Sequence, residues 1–219
     1  MHRRSLSAIV LAAVLGPALL AASLAQAQTS PQTWDHEVSE LRHRWEQITT
    51  EMPEDRRESA LESLADESSA LAEAYPRQSP VLVWRGIVLA SHARAAGGLS
   101  ALGSAKQARE VLERAVELDP EGHHGSTWVT LGALYDRAPG WPVAFGDAET
   151  AERMFQRALS IRPEGIDVHF YYAAFLEDEG RSDEAREHAR RAIEGTARAT
   201  RPLSDEALRD DARALLARL

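Results

Sequence analysis

Cysteine is absent from the 219 residues, and that absence removes several chemistries at once. No disulfide, cysteine-ligated metal or thiol nucleophile can form, and no cysteine offers itself for a lipid anchor. Beyond the first residues there is no second long apolar run, so no membrane span is expected there. Base is scarce beside acid: 25 Lys and Arg stand against 34 Asp and Glu, a formal charge of −9. Such a chain is poorly suited to nucleic acid or an anionic membrane surface. It also lacks a phosphate-cradling glycine loop, a serine elbow and a zinc-protease helix motif. Neither enzymatic activity nor a cofactor is expected.

What is present begins with "MHRRSLSAIVLAAVLGPALLAASLAQA". Arg3 and Arg4, an apolar stretch over residues 9–22 and the small residues of Ala25-Gln26-Ala27 are the three parts of a secretory signal peptide. Gly16-Pro17 interrupts the apolar stretch, which is too short for a span of about 20 residues. Cleavage after Ala27 is predicted, giving a periplasmic or secreted protein. Removal takes two bases and no acids, so the charge moves from −9 to −11 over 219 − 27 = 192 residues. Without disulfides, packing alone must hold that length together.

Internal repetition sets the fold class. Ala108, Leu112, Ala115 and Pro120 recur at the same offsets as Ala151, Phe155, Ala158 and Pro163, and Ala185, Ala189 and Ala192 repeat the first three. Offsets of three and four lie on one helix face, where alanine admits a close neighbour. In front of Ala151 stands Trp128-x-x-Leu131-Gly132-x-x-Tyr135. This resembles the tetratricopeptide repeat family over residues 81–195, with the outer repeats degenerate. The third places His169, Tyr172, Ala173 and Leu176 in the first-helix positions. The first is read from Trp84, with Ile87, Val88 and Ser91 following. An all-α helical-hairpin solenoid is expected: a helical pair within 28–80, three repeats over 81–195 and a closing helix within 196–219. Ser79-Pro80, Ser104-x-x-Gln107, Asp147, Ser182 and Ser204 are the expected helix starts.

Spacing then isolates one loop. Trp128 to Ala151 is 23 residues, where the repeat calls for about 16. The excess falls in "RAPGWPVAFGD". The first repeat has a comparable excess, Trp84 to Ala108, filled by "AAGGLSALGS". Trp141 and Phe145 either fold back to seal the hairpin end or form a partner or ligand site. Groove positions counted from Trp128 are Arg85, Leu89 and His92, then Val129, Ala133, Asp136 and Arg137, then Phe170, Ala174, Glu177 and Asp178. His123-His124 offers no third ligand for a metal, and no metal site is expected.

The loop residues Pro139, Gly140, Trp141, Pro142, Phe145, Gly146 and Asp147, with the flanking repeats, resemble the T component of tetratricopeptide-associated TRAP transporters (TatT-like proteins). The resemblance implies a periplasmic, non-enzymatic helical protein that associates with a solute-binding partner, and a trimer with a pore or cavity for a ligand. Such proteins are often lipoproteins. This chain has no cysteine to lipidate, so a relative without a lipid anchor is expected. The other reading is a periplasmic small-molecule carrier or chaperone with a ligand in a helical cavity.

Overall fold

A computed structural model describes residues 31–219; the expected signal peptide lies outside them. Among the described residues there are nine helices and no strand. They are α1 (Pro31–Thr50), α2 (Glu54–Ala74), α3 (Ser79–Ala96), α4 (Ala101–Leu118), α5 (Ser126–Arg137), α6 (Ala148–Ile161), α7 (Ile166–Asp178), α8 (Ser182–Glu194) and α9 (Pro202–Arg218).

Small residues decide how the hairpins close. Ala108, Leu112 and Ala115 of α4 are fully buried, as are Ala151, Phe155 and Ala158 of α6 and Ala185, Ala189 and Ala192 of α8. Phe155 lies against Gly132, where a Cβ would fall 2.7 Å from its ring. Leu112 takes the same place against Gly86, where a Cβ would fall 2.4 Å away. The pairing corrects the register of the first repeat. Gly86, not Val88, is the counterpart of Gly132, so Leu82, Arg85 and Leu89 fill the positions of Trp128, Leu131 and Tyr135. Trp84 is free for another task.

Helix starts follow the expected chemistry at one place and depart from it elsewhere. Asp147 caps α6 by accepting from the Thr150 N–H at 2.8 Å. Ser79 lies inside α3, and its hydroxyl donates to the Ala115 carbonyl at 3.2 Å. Ser104 lies inside α4, bonded to His92 Nδ1 at 2.9 Å. Ser182 and Ser204 likewise fall within their helices, without a side-chain cap bond. The extra residues of the first repeat do not swell its loop. They lengthen α3 and α4 to 18 residues each, leaving Gly97, at φ 61°, to stop α3. In the middle repeat α5 and α6 are shorter, 12 and 14 residues, and the excess remains as loop.

Consecutive helices pack on one another throughout, and the odd-numbered helices also touch in a closed cycle: α1 on α3, α3 on α5, α5 on α7, α7 on α9, and α9 back on α1. The backbones of the even-numbered helices do not approach one another, and these helices form an outer layer. Closure is chemical as well as steric. Glu46 of α1, 5% exposed, accepts from the Ser204 N–H of α9 at 2.8 Å. Arg201 holds its guanidinium 5.4 Å from the Trp84 ring and 5.8 Å from that of Trp45. That is the task of Trp84, which also meets Trp45 edge-on at 5.6 Å.

Candidate functional site

The loop at 138–147 is built from its own backbone. Gly146 N–H donates to Pro139 O at 2.9 Å, Asp147 N–H to Tyr135 O at 3.0 Å, and Val143 N–H to Gly140 O at 3.1 Å. Gly146 passes so close to the start of the loop that a Cβ there would lie 1.9 Å from Ala138 O. No residue with a side chain fits this crossing without moving the backbone. An ordered loop results, and it separates its two aromatics.

Phe145 turns inward. Its ring meets Tyr135 edge-on at 5.4 Å, and the Arg109 guanidinium lies 4.5 Å from its centre. Together with Leu131, Leu134 and Met154 it closes the apolar end of the α3–α6 hairpins. Trp141 turns outward and is 90% exposed, beside Val143 at 54%. Tryptophan carries the largest apolar surface of any side chain and is highly buried on average, so this exposure is the unusual feature of the loop. Val143 was not picked out from sequence; its place beside Trp141 was its signal.

The remaining candidate residues fall into two groups. Asp136, Arg137, Glu177 and Asp178 gather where α5 and α7 end. Arg137 Nε lies 3.0 Å from Asp136, and its Nη2 is 3.7 Å from Asp178. Arg218 of α9 grips Glu177 with two bonds of 2.7 Å. Burial raises the Asp136 pKa, opposed by Arg137, while the Arg218 bonds lower that of Glu177. This is an ion-paired rim, closed by the last helix. The second group points away from any groove. Leu89 is buried against Ala105, Ala108 and Leu112, His92 is bonded to α4, and Phe170 packs with Ala174 and Leu215. Arg85 is partly buried, one helical turn ahead of Leu89. Val129 is buried with Ala158 and Val168. No group of three or more metal-ligating side chains is gathered among the described residues, and no described helix is long and apolar enough to cross a membrane.

Paired helices with glycine (Gly86, Gly132) or alanine (Ala173) facing the second helix of each repeat, stacked in sequence, define a tetratricopeptide-type solenoid. The chain belongs to the TRAP transporter T-component family, whose model matches residues 39–177. The match reaches upstream of the repeats into α1 and α2. This family and fold are non-catalytic, and the family is associated with periplasmic transport. Among solved structures, the chain is similar in fold to TTC0263, a thermophilic TPR protein in Thermus thermophilus. Identity is 19% and the TM-score 0.57, over 73% of this chain and 74% of that one. MamA aligns at 18% identity and a TM-score of 0.46, over 74% of this chain and 88% of its own. No curated protein sequence matches significantly.

Proposed function

We propose that the protein serves a TRAP-type solute uptake system as a non-catalytic T component and docks a periplasmic solute-binding protein through the loop at 138–147. One observation carries this reading: Trp141 stands 90% exposed on a loop fixed by Gly146 and its own backbone bonds. An aromatic anchor on a backbone already fixed spares the cost of ordering the loop on binding, which favours affinity. Phe145 and Asp147 hold the loop, and Trp141 with Val143 makes the contact. Export by the residue 1–27 signal peptide brings the protein to that partner.

Capture from crosslinked periplasm tests this, with the wild type compared with Trp141→Ala/Val143→Ser at equal helicity. A solute-binding protein recovered by the wild type and lost by the variant is the expected result. Equal capture by both moves docking away from the loop. Capture by neither removes the transporter role. The carrier reading has an observation of its own in its favour, a cleft at the other end of the ring.

A further inference from the structure

Opposite the Arg218 rim, α5, α7 and α9 begin and α4 and α6 end. The turn between α4 and α5, the end of α6 and the segment before α9 enclose a cleft of about 530 Å³, within the range of small-molecule sites. Its lining carries four guanidiniums, those of Arg42, Arg162, Arg198 and Arg201, and no carboxylate. The acids behind it are already engaged. Asp167 accepts from Arg162 Nη2 at 2.6 and 2.8 Å and from Arg198 Nη1 at 2.9 Å. Asp205 accepts from the Arg198 N–H and Nε at 2.8 and 2.9 Å. Further out, Glu46 accepts from Ser204 N–H, and Asp119 from the backbone N–H groups of Glu121 and His123.

Donors remain without acceptors. Trp84, 2% exposed, lines the cleft, and its indole N–H has no hydrogen-bond partner; neither has Arg162 Nε. Arg201, 7% exposed, reaches Ser126 and Asp167 only at 3.5 Å. Buried unpaired donors are costly, and a ligand oxygen brought to them offsets that cost. The lining also carries apolar surface, from Ile161, Ala199 and the Trp84 ring. A strained turn completes the site. Gly122, His123, His124 and Gly125 all have positive φ, from 51° to 82°, a region that histidine enters seldom and that clusters at functional sites.

We infer that this cleft binds a small organic carboxylate. Its head group is taken by Arg162, Arg201 and the Trp84 N–H, and its apolar body lies along Ile161 and the Trp84 ring. Planar guanidinium donors suit a carboxylate geometrically. The first turns of α5 and α9 at the lining favour the charge, in part offset by the C-terminal end of α6, where Arg162 supplies the compensating cation. An inorganic anion would leave the apolar wall unused. The site is separate from the docking loop, so the isolated protein suffices to test it.

Calorimetric titration with sodium benzoate, at fixed ionic strength and neutral pH, reads binding directly. Saturable binding is expected, weakened about tenfold or more by Trp84→Phe, which removes the unpaired N–H. Arg42→Gln, whose guanidinium is bonded to Ser39 of its own helix rather than to Asp167 or Asp205, is the second variant. It leaves the ring seam intact and should weaken binding several-fold by removing one charge. No saturable binding by the wild type at about 10 mM benzoate overturns the site. Equal affinity for benzoate and inorganic phosphate overturns the organic carboxylate. Unchanged binding in both variants overturns the placement of the ligand.

Discussion

At Gly86 and Gly132 the first helix of a hairpin gives up its side chain so that the second can insert one. Leu112 and Phe155 occupy the space, and both are fully buried. Gly86→Ala therefore forces a methyl to within 2.4 Å of Leu112. Overpacking of this kind costs about 1–3 kcal/mol, read as a lower urea midpoint with unchanged slope. The same substitution at Gly103, where a Cβ meets nothing within 4 Å, should be neutral or slightly stabilising because alanine is the better helix former. A second residue-scale device is the pair His169 and His188. His169 Nε2 donates to Pro163 O at 2.7 Å, which leaves its Nδ1 to accept from His188 Nδ1–H at 2.8 Å. Both rings are then neutral. Burial, with His169 beside it and against Glu187 and Glu184, pushes the His188 pKa from 6.5 down to about 4, and burial also lowers that of His169. Below 6.5 the unfolded chain binds protons that the folded chain refuses. This stabilisation is complete above about pH 6.5 and lost as pH falls towards 4, on the order of 2 kcal/mol for His188. Urea unfolding at about pH 7.5 and about pH 4.5 should show the loss in wild type and a smaller one in His188→Phe; equal losses in the two proteins would refute the pair's role.

Among the elements, the loop at 138–147 divides labour between stability and contact. Phe145→Ala removes the half-buried ring that Tyr135 and Arg109 hold and should cost about 1–2 kcal/mol, less than a fully buried aromatic. Asp147→Ala removes the cap on Thr150 and should cost about 1 kcal/mol. Trp141→Ala should change stability by less than about 0.5 kcal/mol, because the side chain touches little but solvent. Thermal melts of the three variants give the ranking, and a large loss in Trp141→Ala would make that residue a packing element. The existence of this loop was legible in the sequence, because the spacing from Trp128 to Ala151 exceeds what a hairpin needs. Its division between Trp141 and Phe145 was not. Both are aromatic, and the choice depends on the backbone crossing at Gly146. The first repeat misled for a related reason. Trp84 resembles the signature tryptophan, but its ring serves α1 and Arg201, and the quieter signal was Gly86. Likewise "AAGGLSALGS" reads as a flexible insert, yet Ala95 and Ala96 continue α3, and Ala101 and Leu102 open α4.

For the molecule as a whole, the decisive fact is that α9 returns to α1. The repeat signature specifies only how each hairpin meets the next, as in any solenoid whose units contact their neighbours alone. Where the array closes depends on the summed rotation of several hairpins, and no local motif records that. The contact that seals it, Ser204 to Glu46, joins residues 158 apart. Closure also explains why Phe170 and Ala174, counted as groove positions, pack with Leu215 instead: α9 occupies the inner face there. It changes how damage spreads. Leu215 of α9 is fully buried with Ala173 and Ala189, and Leu215→Ala should cost about 2–5 kcal/mol. In an open array the loosening would be confined to α7 and α8. In a closed ring α1 loses its partner as well, and its amides should exchange faster together with those of α9. Hydrogen exchange resolved by segment distinguishes the two. Faster exchange at both ends of the chain, with α4 to α6 still protected, is the signature of a ring opening at its seam; an unchanged α1 would make the α1–α9 contact incidental.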